Sequence, residues 1–182
     1  MKLLAGLAIL GAAAFSSADF YTYTFGADVL SFDDEGSALN VIDSINLGAG
    51  AVVTGIGWDV DLEAFSPSWQ SELTVSFADD ANLPGLYLFP GGGVDTPGTG
   101  NFSSGGIIDL TDNSIPDITL STGTLNMEFF EGFDDAVGVA DGRWLAGSTL
   151  TLEYTPAPVP EPASMAVLGL GVAALARRRR AR

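Results

Sequence analysis

The chain has 182 residues, with 23 Asp and Glu against 7 Lys and Arg, and it contains neither Cys nor His. That length holds one domain of ordinary size with tails. The missing Cys and His exclude Ser-His-Asp and Cys-His nucleophiles, His- or Cys-ligated zinc, Cys-ligated iron–sulfur clusters and disulfides.

The first segment, residues 1–18, places Lys2 before an apolar run from Leu3 to Phe15 and then the small residues Ser16, Ser17 and Ala18. These are the three regions of a secretory signal peptide, cleaved between Ala18 and Asp19 by a signal peptidase. The signal is expected to form a helix, and the mature chain then begins at Asp19.

From Asp19 to Thr155 the sequence has 22 acids and one base, Arg143. Such a segment repels nucleic acid, whose phosphates are bound by Lys and Arg, and it repels anionic surfaces. It attracts hard cations, Ca²⁺ first among them, although the same charge also serves solubility alone. With 47% hydrophobic residues the chain is too apolar to be disordered. Runs rich in β-branched and aromatic residues recur at Phe20–Phe25, Ala51–Leu62, Leu73–Phe77, Leu86–Phe89, Ile107–Leu110, Ile118–Ser121, Thr124–Phe130 and Ser148–Thr155. Turn formers separate them, among them Asp33-Asp34, Gly48–Gly50, Pro84-Gly85, Pro90–Gly93, Pro97-Gly98, Gly105-Gly106 and Asp141-Gly142. The pattern predicts an all-β domain over residues 19–155, a jelly-roll-like β-sandwich.

Three constellations in this segment bear on chemistry. Asp59, Asp61 and Glu63 alternate with Val60 and Leu62, so the three carboxylates share one strand face, either as a cation or acid–base site or as a solvated face. Asp134, Asp135 and Asp141 flank a loop containing Gly138, where carboxylates and carbonyls suit Ca²⁺; turns held by Asp side chains are the competing reading. Asp33-Asp34-Glu35 and Asp79-Asp80 are weaker clusters of the same kind. The third set is aromatic: Trp58, Trp69, Trp144, Tyr87 and Phe89 either fill the core or stack sugars. Ile56–Leu62, Ser66-Pro67 and Asp141-Gly142-Arg143-Trp144, in that order, resemble jelly-roll accessory domains such as the P domain of proprotein convertases.

The last segments are a Pro-spaced stretch, 156–162, and an apolar run with an arginine end, 163–182. Pro156, Pro158, Pro160 and Pro162 predict an extended spacer. Residues 163–176 are uncharged, and as a helix they rise only about 21 Å against a hydrocarbon core of about 30 Å, so the expectation is a short transmembrane helix lengthened by snorkelling Arg177, Arg178, Arg179 and Arg180. Positive charge stays cytoplasmic, which faces the folded domain outward. Pro160-Glu161-Pro162, the short apolar run and the terminal arginines resemble the PEP-CTERM sorting signal of exported bacterial proteins. That resemblance implies recognition by an exosortase, cleavage near the motif and transfer to the cell surface or an extracellular polysaccharide matrix.

These readings lead to an exported, surface- or matrix-associated, non-enzymatic protein with a structural or adhesive role, its β-sandwich a candidate for calcium or glycan binding, with no other cofactor. Two alternatives stay open. One is a carboxylate-dependent glycoside hydrolase, which needs a pair of carboxyls in a cleft. The other is a domain that remains anchored by an uncut single span.

Overall fold

The computed structural model describes residues 17–79, 84–135 and 137–158, together with Gly169, Gly171, Val172, Arg177 and Arg179. The chain divides into two units, one of residues 16–157 and one combining residues 1–15 with 158–182. Residues 1–16 of the expected signal helix lie outside the described residues, as do Pro160, Glu161, Pro162, Arg178 and Arg180. Of the apolar run only Gly169, Gly171 and Val172 are described; they are helical and exposed, as are Arg177 and Arg179. No helix among the described residues is long and apolar enough to cross a membrane.

The larger unit is a sandwich of two antiparallel sheets. Its strands are β1 (Asp19–Thr24), β2 (Val29–Ser31), β3 (Val41–Asn46), β4 (Val52–Ala64), β5 (Leu73–Asp79), β6 (Pro84–Leu88), β7 (Gly98–Ser103), β8 (Ile108–Asp109), β9 (Ile118–Thr119), β10 (Thr124–Glu131), β11 (Gly142–Trp144) and β12 (Thr149–Thr155). The first sheet is built around β4, whose 13 residues are long enough to pair with several strands on each side. β12 and then β11 run along one side, and β9, β8 and β7 follow one another along the other. β1 completes this sheet beyond β12, and β2 beyond β11. The second sheet has the order β3-β10-β5-β6.

Alternation sets which face is buried. In β12, Leu150 and Leu152 point inward, and in β4 so do Val60 and Leu62. In the second sheet β5 contributes Val75 and Phe77 and β10 contributes Leu125, Met127 and Phe129. Between the sheets Phe25 stacks on Trp144 at 5.8 Å, and Phe129 meets both rings edge-on. The sandwich expected from the turn-separated runs is therefore present. Four strands lie where no run was expected: β2, β3, β7 and β11. Three expected turns are instead strand residues, since Pro84-Gly85 opens β6, Gly98 opens β7 and Gly142 opens β11.

Candidate functional site

The outer face of the second sheet carries a continuous row of side chains. Ile42 of β3 stands opposite Glu128 of β10, which stands opposite Ser76 of β5, which stands opposite Tyr87 of β6. The adjacent rows pair Asn126 with Ala78 and Phe130 with Thr74. Alternation sends these residues away from the core, because their neighbours Met127, Phe129, Val75 and Phe77 are buried within it.

The connection from β2 to β3, residues 32–40, crosses this face as a strap. Glu128 holds it, its Oε1 accepting the Gly36 N–H at 2.6 Å and the Asn40 side-chain amide at 2.8 Å. Tyr87 donates its hydroxyl to Glu35 Oε2 at 2.8 Å. Asp33 anchors the base of the strap, accepting from the Ser37 hydroxyl at 2.7 Å and the Gly138 N–H at 2.9 Å. Those two hydrogen bonds, Gly138 first, draw the Asp33 carboxyl below its ordinary pKa.

Two cavities result, one on each side of Glu35. The first, about 450 Å³, is lined by Glu35, Ser71, Glu72, Tyr87, Phe89 and Phe130, among others. The second, about 440 Å³, is lined by Glu35, Ile42, Ser76, Asn126 and Glu128, among others. Phe130 lies under Tyr87, edge to face at 6.1 Å, and is itself buried. Tyr87 and Phe89 remain 42% and 56% exposed, a large apolar area for a solvent-facing strand end. Trp69, 44% exposed, is tied to the same groove by its backbone N–H, which Glu72 Oε2 accepts at 2.7 Å. The Glu72 carboxyl is pushed up, by burial first and then by Asp135, Asp141 and Asp95, against the Trp69 hydrogen bond. An open apolar floor with aromatic faces, hydroxyls, an amide and carboxylates at its edges is the chemistry of a site for a polar ring with apolar faces.

The sequence-predicted sets are distributed differently. Asp59 and Asp61 accept from the Asn101 amide on β7 at 3.3 and 2.9 Å, and Arg143 on β11 reaches Glu63 at 2.7 Å and Asp28 at 2.8 Å. Their strand is the spine of its sheet, and neighbours occupy the carboxylates. Asp134 and Asp135 lie in the loop before β11, with Asp141 at its end. Asp141 is buried, and its Oδ2 accepts the Asp135 N–H at 3.0 Å, which closes the loop. Asp79 accepts the Ser121 N–H and hydroxyl, while Asp80 lies outside the described residues. Among the described residues no three His, Cys, Asp or Glu are grouped so as to hold a metal ion. The aromatic set splits: Trp144 is core, Trp58 packs half-buried against the core, Tyr87 and Phe89 line the groove, and Trp69 is exposed, joined to Glu72 through its backbone alone. Ala18 is exposed and Asp19 opens β1.

Glu72, Glu128 and Glu131 were not singled out by sequence. Glu131 had a signal: extending the β10 pattern by one residue sets it on the face of Leu125, Met127 and Phe129. Glu72 and Glu128 had none, because what joins them to Glu35 is the strap, and no local pattern reveals a strap.

Comparison with known proteins adds the following. Residues 158–180 match the family model described as the PEP-CTERM protein-sorting motif. That motif implies an exported protein, recognised and processed by an exosortase and destined for the cell surface. No curated protein matches the chain. Among solved structures, a chain of infectious bursal disease virus Gt strain is similar at 12% identity and a TM-score of 0.42, covering 82% of this chain and 36% of the viral one. The VP2 subviral particle of that virus is similar at 14% identity and a TM-score of 0.39, with 82% and 37% covered. The chain thus spans little more than a third of the length of those viral chains.

Proposed function

We propose that this is a non-enzymatic protein of the cell surface or extracellular matrix whose β-sandwich binds a carbohydrate chain along the outer face of the second sheet. The observation that supports this is the groove, in which Tyr87 and Phe89 present exposed rings beside Ser71, Thr74 and Glu72, all on or next to rigid strands. Sugars have one apolar face that stacks on such rings and a rim of hydroxyls that pair with polar side chains. An exported protein with a sorting tail meets polysaccharide at its destination, which fits the same reading. The test is retention of the full chain, in neutral detergent, on insoluble cellulose and chitin. The Tyr87→Ala/Phe89→Ala double variant should lose roughly tenfold in retention, about 1 kcal/mol or a little less for each ring. Equal retention of the double variant overturns the reading.

A second reading, hydrolysis, is favoured by one observation: Glu72, with its pKa raised, and Glu35 share a groove, as an acid and its partner carboxylate do in glycosidases. Both carboxylates already serve structural hydrogen bonds, from Trp69 and Tyr87 respectively. Incubation with soluble oligosaccharides should release no new reducing ends. Release that Glu72→Gln abolishes would replace the binding reading with the hydrolytic one.

A further inference from the structure

We propose that the carbohydrate seated on this face carries free amino groups, as in a hexosamine polymer left at least partly unacetylated. The proposal rests on the carbohydrate-binding reading above and narrows it to one chemical class. Its basis is the combination of the Tyr87 and Phe89 rings in the first cavity with carboxylates lining both cavities. Glu72 stands in the first cavity, Glu128 in the second, and Glu35 between them in both. None of the described residues lining the two cavities is Lys or Arg.

The local field is already negative before any ligand arrives. Charges at Asp135, Asp141 and Asp95 add to burial in disfavouring ionised Glu72. On the other side of the groove the Tyr87 phenol is pushed up, first by its hydrogen bond to Glu35, then by burial and by the charges of Glu35 and Glu128. A ligand ammonium relieves this repulsion and pairs with exposed Glu35 and half-buried Glu72 as a further donor, beside the hydrogen bonds they already accept from Tyr87 and Trp69. The rings of Tyr87 and Phe89 attract a cation through their faces as well. A uronic-acid or sulfated polymer meets repulsion at the same positions, and a neutral glucan gains the stacking alone.

Three β-1,4-linked hexamers separate these cases, because they share a backbone and differ at C2: glucosamine, N-acetylglucosamine and glucose. Titrated calorimetrically into the full chain in neutral detergent, the glucosamine hexamer should bind about tenfold more tightly than the other two at about 0.1 M salt. The preference should vanish at about 1 M, where the Debye length falls from about 10 Å to about 3 Å. Glu35→Gln/Glu72→Gln should level the three affinities, since Gln keeps an acceptor for Trp69 and Tyr87 but not the charge. Tyr87→Ala/Phe89→Ala should weaken all three. Equal affinity for the three hexamers in the unmodified chain overturns the amino-sugar class and leaves carbohydrate binding standing. Binding of the glucosamine hexamer that neither double variant changes is adsorption to acidic surface elsewhere, and it too overturns the proposal. Absence of binding by all three removes the carbohydrate reading along with it.

Discussion

Glu131 ends β10 with its side chain between the sheets, fully buried, and neither carboxyl oxygen has a hydrogen-bond partner. The Ser31 hydroxyl is near enough to favour the charged form without reaching hydrogen-bonding geometry, and Asp141, Glu72 and Asp135 oppose ionisation. Burial dominates and pushes the pKa from 4.5 to about 8. An acid raised in the folded state withdraws stability as pH rises: nothing is lost below the unfolded value, and the full penalty is present above the folded one. Between those limits the loss reaches roughly 3 kcal/mol near pH 7. Glu131→Gln should therefore gain stability over the parent chain progressively from pH 5 to pH 8 and hold that gain above it, as read from urea midpoints. A difference that does not vary with pH would show that the carboxyl is not buried in this way. Tyr23 supplies a contrasting half-buried polar contact, donating at 2.7 Å from β1 to Asp43 of β3 in the other sheet. Tyr23→Phe should cost about 1 kcal/mol in the same measurement, because Asp43 then loses its donor across the sandwich.

At the scale of elements, β4 determines what the first sheet can be. Gly55 and Gly57 lie where the loop after β7 folds back on the strand, and a Cβ on Gly57 would stand 2.8 Å from Gly106 O and 3.1 Å from Ile107 Cδ1. Gly57→Ala should therefore destabilise by about 1–3 kcal/mol, since backbone on the other side must move. Gly26→Ala is the control, for a Cβ there meets nothing within 4 Å, and it should leave the thermal midpoint unchanged. The same strand explains what the sequence revealed and what it concealed. β4 and β12 alternate strongly enough to be read as strands with their faces assigned, and β10 is legible as a strand from its run of β-branched and aromatic residues. β7 (Gly98–Ser103) and β11 (Gly142–Trp144) have weak local preference, and they are strands because β4 offers them an edge. Asp141-Gly142 and Pro97-Gly98 read as turns because Gly and Pro punctuate local structure, a rule that long-range pairing overrode here. The groove was half legible: Tyr87 and Phe89 stood out by type, while their place in it depends on the register of β6 against β5 and on the strap held by Glu128.

For the molecule as a whole, the dominant quantity is the imbalance of 22 acids against one base between Asp19 and Thr155, the base being committed to Glu63 and Asp28. Mutual repulsion of that size opposes the compact state and weakens as salt screens it. Raising sodium chloride from about 0.05 M to about 0.5 M should add about 1 kcal/mol, seen as a rise of roughly 4 °C in the thermal midpoint. A midpoint that falls with salt would mean that attractive pairs outweigh the repulsion. The imbalance also distinguishes the two ends, since the remaining bases are Lys2 and the terminal arginines. If an exosortase acts on the matched segment, the protein at its destination has shed those arginines and with them most of its positive charge. Intact masses from the cytoplasmic membrane, the outer surface and the medium test this directly. The surface form should lack residues 1–18 and the sequence following Pro160-Glu161-Pro162. A surface form that retains Arg177 to Arg180 would show an uncut tail.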